Sequence, residues 1–158
     1  MKILLTGATG YIGKRVLPIL ASLGHEVICG VRDKKRFNSA FNNVSCIEID
    51  LLNPTTLSNI PVDIDAAYYL IHSMSNNDEY HQIEETCAKN FVWAINKTNI
   101  KQVIYLSGIV NDNNLSKHLA SRINVEKVLE KGTFHLTTFR AGIIVGSGSA
   151  SFEIIRDL

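Results

Sequence analysis

The chain has 158 residues, of which 46% are apolar and 20% are charged, and its 16 basic residues nearly balance its 15 acidic residues. This composition is typical of one globular domain with a sizeable core, and it provides no electrostatic attraction for nucleic acid or for an acidic membrane surface. The three cysteines lack the spacing of a zinc site or a disulfide framework, which predicts reduced thiols, no bound metal and a cytoplasmic location. No apolar run is long enough for a signal peptide or a membrane span.

Short β-rich runs alternate with longer segments of helical period along the chain. We predict strands at residues 2–5, 26–31, 46–50, 66–71, 103–107, 136–139 and 143–145, and helices at residues 11–23, 79–98 and 115–130. Such alternation is typical of a doubly wound parallel sheet with helices on both faces, which is a three-layer α/β architecture. The sequence therefore predicts one α/β domain over residues 1–158, with at least six strands.

The last segment, residues 151–158, begins like a capped amphipathic helix. It contains only about two turns, whereas helices in globular proteins average about 11 residues. We therefore expect the chain to be the N-terminal part of a longer protein. A further strand, a lid or a second domain that completes the substrate site would then follow residue 158.

The segment TGATGYIGKR stands between the first predicted strand and the first predicted helix. Its glycines, Gly7, Gly10 and Gly13, follow the pattern G-x-x-G-x-x-G, which lets backbone N–H groups approach a pyrophosphate at a helix N-terminus. A P-loop would instead need a glycine where Ala8 stands and a hydroxyl group where Arg15 stands. The segment therefore predicts a dinucleotide site, and a glycine-rich turn without a ligand is the alternative.

These residues resemble the short-chain dehydrogenase/reductase superfamily, in its extended and atypical branches of epimerase/dehydratase-like and NmrA-like proteins. TGATGYIG near the start, DL at 50–51, YLSG at 105–108 and FRAGIIVG at 139–146 fall in the order of that superfamily. LIHSM at 70–74 is similar to bacterial proteins in which such a domain precedes a second one. The resemblance covers essentially the whole chain and implies a Rossmann fold, an NAD(P) cofactor and oxidoreductase or epimerase-like activity.

The resemblance also implies which residues hold the cofactor. They belong to the glycine loop and to the ends of the second, third and fourth strands: Gly7, Thr9, Gly10, Tyr11, Ile12, Gly13, Arg32, Asp50, Leu51, Leu70, Ile71 and His72. Asp50 would lie near the adenine, although a role as a loop cap is an alternative. His72 would contact the nicotinamide side of the cofactor, although a histidine that merely ends a strand is an alternative.

The end of the second strand predicts which dinucleotide is bound. Val31 occupies the tip, where a carboxylate would bind the 2′-hydroxyl of NAD, and Arg32 follows it. A guanidinium beside an uncharged residue favours the 2′-phosphate of NADP, which is our first choice. Asp33 lies closer to the usual spacing after the glycines and would favour NAD instead. A solvated charge pair at a loop is the third interpretation.

Members of the superfamily that catalyse reactions carry a serine or threonine after the fifth strand and a Tyr-x-x-x-Lys pair on the next helix. Ser107 matches the first position, but no tyrosine in this chain is followed four residues later by lysine. On the expected helix, His118 could transfer a proton and Arg122, one turn later, could hold a ribose hydroxyl. Ser107, His118 and Arg122 are therefore the candidate catalytic residues, and a solvated polar helix face is the alternative.

Two functions from different classes follow. The first is an NADP-dependent oxidoreductase or epimerase-like enzyme that acts on an unidentified small molecule, although the missing Tyr-x-x-x-Lys pair puts its usual mechanism in question. The second is a non-catalytic module that senses NADP or has a structural role. The resemblance also implies a homodimer through the helices from residues 79 and 115 as one arrangement, for which the sequence has no decisive pattern.

Overall fold

A computed structural model describes residues 1–72, 80–109 and 116–149 of the chain. Within these residues the strands are β1 (Lys2–Thr6), β2 (Glu26–Val31), β3 (Val44–Glu48), β4 (Ala66–Tyr69), β5 (Gln102–Gly108) and β6 (His135–Ala141). The helices are α1 (Gly13–Ser22), α2 (Tyr80–Ile95) and α3 (Lys117–Leu129), and short 3₁₀ turns occupy Lys34–Arg36 and Pro54–Asn59. None of the helices so described is long and apolar enough to cross a membrane.

The strands form one sheet in the order β3-β2-β1-β4-β5-β6, and all neighbouring pairs are parallel. The predicted Rossmann-type, doubly wound sheet is therefore confirmed. The direction in which strands are added reverses between β1 and β4. Because ligands in this fold bind beyond the carboxyl ends of the strands at such a switch point, the fold places a crevice next to the glycine loop.

The central strands are buried on both faces. Along β1, Leu4 contacts the core beneath α2 and α3, whereas Ile3 and Leu5 contact the core beneath α1. The first core includes an edge-to-face pair of Tyr69 and Phe91, whose ring centroids are 4.8 Å apart. Burial on both faces explains why the strands are nearly continuous apolar runs rather than alternating ones.

The strand predicted at residues 143–145 is wrong, because these residues have no strand conformation and pair with no strand in the part of the chain that the structure describes. They lie between Gly142 and Gly146 beyond the edge strand β6, and Ile143 is 79% exposed. The segment that contains them contacts α1, because the Arg15 guanidinium donates a hydrogen bond of 2.6 Å to Ser147 O. The helix predicted at residues 151–158 lies outside the described residues.

The outer surface of α2 carries the only tryptophan of the chain. Trp93 is 54% exposed, which is unusual for the largest side chain in a domain of this size. The ammonium nitrogen of Lys97, one turn later, lies 3.1 Å from the centroid of its ring, in a cation–π contact. This contact stabilises the indole at the surface of α2.

Candidate functional site

A cleft of about 380 Å³ lies at the carboxyl ends of β1, β2 and β4. Nine of the twelve residues predicted to hold a cofactor line it: Gly7, Thr9, Gly10, Arg32, Asp50, Leu51, Leu70, Ile71 and His72. The other three, Tyr11, Ile12 and Gly13, form the turn that leads into α1 and its first residue. The fold thus brings together residues as distant in sequence as Gly7 and His72, which are 65 positions apart.

The three glycines of the loop have different physical roles. Gly7 has φ +72°, and a Cβ atom there would lie 2.6 Å from Leu70 O, so the tight turn needs glycine. A Cβ atom at Gly13 would overlap Gly7 O, so this glycine lets α1 pack against the loop. Gly10 is exposed and lines the cleft, where the absence of a side chain lets a ligand approach the backbone.

The N-terminus of α1 is uncapped. Ile12 precedes the helix without a side-chain hydrogen bond, and the first turn contains no acidic residue. Among the described residues, the N–H groups of Tyr11, Ile12 and Gly13 have no hydrogen-bond acceptor. Free N–H groups and the positive end of a helix dipole together favour an anion, and Lys14 adds a cation in the same turn.

Two charged residues, Arg32 and Asp33, follow β2, and only Arg32 lines the cleft. Arg32 lines the cleft and forms no ion pair with any residue that the structure describes. Asp33 instead accepts a hydrogen bond of 2.9 Å from Lys35 N and caps the turn Lys34–Arg36. Arg32 and Asp33, which the sequence left as competing determinants of NADP or NAD binding, therefore differ: Arg32 lies at the cleft, and Asp33 caps its own turn.

Asp50 is a loop cap, which is one of the two roles that the sequence left open, and it also lies at the cleft. Its side chain accepts a hydrogen bond of 3.0 Å from Leu52 N, which caps the turn after β3, and the residue also lines the cleft. The adjacent Leu51 is fixed from α2, because Asn90 Nδ2 donates a hydrogen bond of 2.6 Å to Leu51 O. The wall of the cleft at β3 is therefore tied to both its own turn and α2.

A polar cluster lies at the carboxyl end of β4, where β4, α2 and α3 meet. The carboxylate of Glu84, which is 5% exposed, lies 2.6 Å from His72 Nδ1 through Oε1 and accepts a hydrogen bond from the Ser121 hydroxyl through Oε2. The ring of His118 contacts the ring of His72 edge-on, with centroids 4.6 Å apart. Burial, followed by the nearby His72 and Arg122, lowers the pKa of His118 below its ordinary value.

The two other catalytic candidates lie on β5 and on α3, which contacts it. Ser107, at its carboxyl end, is buried, and its hydroxyl has no hydrogen-bond partner in the part of the chain that the structure describes. Arg122 donates a hydrogen bond of 2.9 Å to Leu106 O and accepts one from the Tyr105 hydroxyl at its own carbonyl. Arg122 thus ties α3 to β5, whereas Ser107 retains an unused hydroxyl.

Sequence reasoning missed the contribution of α2. Ile83 and Cys87 line the cleft, and burial raises the pKa of the Cys87 thiol to about 11, so this thiol stays protonated. Glu84 was missed as well. Its signal was present, because Glu84 stands in a stripe that continues through Ala88, Phe91 and Ile95, and a carboxylate in an apolar stripe indicates a buried polar partner.

The chain was compared with known proteins. The sequence pattern of the NAD(P)H-binding family matches residues 7–141. A comparison with curated protein sequences gives no significant match. The family match covers the glycine loop and all the strands that follow it, from β2 to β6.

Solved structures share the fold. A triphenylmethane reductase of Citrobacter sp., complexed with NADP(H), has a TM-score of 0.78 and 17% identity, over 92% of this chain and 50% of that chain. A nucleoside-diphosphate-sugar epimerase of Staphylococcus aureus has a TM-score of 0.75 and 20% identity, over 89% of this chain and 50% of that chain. The enzyme WbmH of Bordetella bronchiseptica, in complex with NAD⁺, has a TM-score of 0.74 and 18% identity, over 92% of this chain and 56% of that chain.

This chain therefore spans about half the length of these three proteins. Two of them contain different dinucleotides, so the fold alone does not select between NAD and NADP. The resemblance stated from the sequence is confirmed in that the matched family is NAD(P)H-binding and an epimerase and a reductase share the fold. Through its match over residues 7–141 and its Rossmann sheet, the chain belongs to the NAD(P)H-binding family.

Proposed function

We propose that this chain is the cofactor domain of an oxidoreductase or epimerase-like enzyme and that its cofactor is NADP(H) rather than NAD(H). The end of β2 carries the choice of cofactor. Arg32 lines the cleft and its guanidinium has no ion pair to any described residue, so we take it to be available to a 2′-phosphate. The carboxylate of Asp33 is held by Lys35 N in its own turn. Val31 stands where NAD-binding domains of this fold place a carboxylate.

The cleft has a suitable group for each part of the dinucleotide. The uncapped start of α1 and the exposed Gly10 would bind the pyrophosphate. Asp50 and Leu51 would border the adenine, and the end of β4, through His72, would border the nicotinamide. When bound, the nicotinamide supplies or accepts a hydride.

The catalytic part of the proposal uses groups at the end of β5 and on α3. The unused hydroxyl of Ser107 is suited to hold a substrate oxygen, and His118 and Arg122 remain the candidates that the sequence singled out. We propose that the substrate pocket is completed by chain beyond residue 158, since the similar structures are about twice as long. A cytoplasmic location, which the free thiols of the described cysteines favour, and a homodimer remain predictions.

Calorimetric titration with NADPH and, separately, NADH at physiological salt tests the choice of cofactor. We expect NADPH to bind more tightly. Arg32→Ala should weaken NADPH binding about 10- to 100-fold, because a hydrogen bond to a charged group contributes about 1.5–3 kcal/mol. The same substitution should leave NADH binding nearly unchanged.

The matched control is Lys101→Ala, which removes the same charge from an exposed residue just before β5, at the opposite edge of the sheet. An equal loss of NADPH affinity in both variants would mean that net charge, rather than a phosphate contact, drives binding. Equal affinities for the two nucleotides in the unaltered chain would refute the preference. Failure of both nucleotides to bind would refute the cofactor site in this chain.

A non-catalytic NADP-sensing module is the second candidate, and the missing Tyr-x-x-x-Lys pair favours it. Such a module would bind NADPH in the same cleft but would not need the hydroxyl of Ser107. In the longer protein, replacement of Ser107 and His118 by alanine distinguishes the two. A sensor would keep its function, whereas an enzyme would lose turnover.

A further inference from the structure

A buried carboxylate stands behind the nicotinamide end of the proposed cofactor cleft. Glu84 is only 5% exposed, and a charge buried to this extent is strongly destabilising unless it is paired and hydrogen-bonded. It has such partners, because His72 approaches from β4 and the Ser121 hydroxyl donates from α3. Glu84 therefore connects three elements at the point where the cleft ends.

The contact with Glu84 determines which nitrogen of His72 is free. His72 Nδ1 lies 2.6 Å from Glu84 Oε1, and because an ionised carboxylate can only accept, we assign the hydrogen-bond donor of this pair to Nδ1. His72 Nε2 has no hydrogen-bond partner among the residues that the structure describes, and the residue lines the cleft with its side chain 17% exposed. The pair therefore leaves Nε2 as the nitrogen that can exchange a proton with a ligand.

The second histidine of the cluster lacks a carboxylate partner of this kind. His118 is exposed at the start of α3, and no described carboxylate is hydrogen-bonded to it. Its pKa is lowered first by partial desolvation and then by His72 and Arg122, with His81 adding to this effect, and Glu84 opposes it. His72 is therefore the histidine whose ring is fixed by a carboxylate, since its Nδ1 lies 2.6 Å from Glu84 Oε1.

We propose that His72 is the catalytic acid–base residue of this domain and that Glu84 is the residue that positions it. This inference rests on the proposed cofactor site, because it places the His72 ring beside the nicotinamide. In one direction the N–H bond at His72 Nε2 breaks and an O–H bond forms on a ligand oxygen that carries negative charge. The ring is left neutral, with its Nδ1 proton still directed at Glu84, and the reverse step returns the proton. His72 would thus take the place of the missing tyrosine.

Nitrogen-15 NMR of the histidine rings tests the inference without a substrate. Two-bond correlations identify the protonated nitrogen of each neutral ring, and we expect Nδ1 for His72. In Glu84→Gln the preference for Nδ1–H should weaken, because an amide can donate as well as accept. NADPH should shift the His72 resonances, whereas 2′,5′-ADP, which has the 2′-phosphate but no nicotinamide, should not. His25 and His135, at the opposite edge of the sheet, are internal controls and should respond to neither.

The outcomes separate this inference from the proposed function. If NADPH binds in calorimetry but the neutral His72 ring carries its proton at Nε2 rather than at Nδ1, or if its resonances do not respond, the inference is wrong and the cofactor site stands. If neither nucleotide binds, the proposed function fails and the nicotinamide role of His72 fails with it. Should Glu84→Gln not fold, the tautomer and the nucleotide response of the unaltered chain still decide the matter.

Discussion

At the scale of single residues, two glycines with positive φ allow the effect of backbone conformation to be separated from that of steric overlap. Gly7 and Gly24 have φ of +72° and +79°, but a Cβ atom would meet close neighbours only at Gly7, where Leu70 O would lie 2.6 Å away. We expect Gly24→Ala to lower the free energy of unfolding by about 1–2 kcal/mol, which is the usual penalty of a left-handed residue. Gly7→Ala should lower it by clearly more. Urea unfolding measures both, and equal losses would mean that the glycine loop can relax.

The histidine cluster predicts a pH dependence of stability. The pKa of His118 lies below its ordinary value of 6.5 in the folded protein, mainly because of burial, so the unfolded chain binds this proton first. The stability that neutral His118 allows is complete above about pH 6.5 and declines as the pH falls through that value. We expect Tm to fall as the pH is lowered from about 8 to about 5. His118→Asn should reduce the slope of Tm against pH.

Thermal unfolding followed by circular dichroism at a series of pH values provides this measurement. The exposed His135, outside the cluster, offers a control, since His135→Asn should leave the contribution of the cluster intact. A slope that is the same in His118→Asn and in the unaltered chain would contradict the prediction.

At the scale of elements, the start of α1 is a compromise between stability and binding. Lys14 lies in the first turn, next to N–H groups without acceptors among the described residues, where an acidic residue would stabilise the helix. We expect Lys14→Glu to raise the free energy of unfolding by about 0.3–1 kcal/mol. It should also weaken NADPH binding at least about 10-fold, since a negative charge would stand beside the pyrophosphate.

Lys14→Gln is the matched control for this substitution, because it removes the positive charge without adding a negative one. Its effects on unfolding and on binding should be intermediate. The comparison needs denaturant unfolding and calorimetry on the same three proteins. If Lys14→Glu bound NADPH as tightly as the unaltered chain, the pyrophosphate would not lie at this helix terminus.

The order and type of the elements could be predicted because strands and helices have different apolar periods. The boundaries of β2, at Glu26–Val31, were predicted to the residue. The error at residues 143–145 arose because three apolar residues satisfy the strand pattern whether or not a neighbouring strand exists to pair with them. Pairing is a property of the sheet, and a local pattern does not contain it.

The candidate site likewise has one part that could be predicted from the sequence and one part that could not. The glycine loop could be predicted because its residues are close in sequence and each glycine follows from local geometry. The contact of Glu84 with His72 and Ser121 joins residues 12 and 37 positions away, on three different elements. No spacing rule encodes such a contact, although the carboxylate in an apolar stripe did indicate that some partner exists.

At the scale of the whole molecule, exposed apolar side chains lie on β6 and in the segments that follow β5 and β6. Ile109, Phe139, Ile143 and Val145 are each at least 46% exposed. Large exposed apolar patches usually mark surfaces that contact other protein. We expect the 158-residue chain to bind an environment-sensitive hydrophobic dye, and Phe139→Ser with Val145→Ser to reduce the fluorescence.

Replacement of the exposed Ile19 of α1 and of Leu23, which directly follows α1, by serine is the control. It removes similar apolar area elsewhere and should leave most of the dye signal. Fluorescence that falls equally in both double variants would mean that the dye does not report on the surface near β6.

The exposed Trp93 has a practical consequence. It lies ten residues after Ile83 on α2, which corresponds to about 15 Å along the helix from the wall of the cleft. Reduced nicotinamide absorbs light at the wavelengths that tryptophan emits, whereas oxidised nicotinamide does not. Since the chain has no other tryptophan, energy transfer from this single donor would turn the domain into an unlabelled optical sensor of the redox state of its own cofactor.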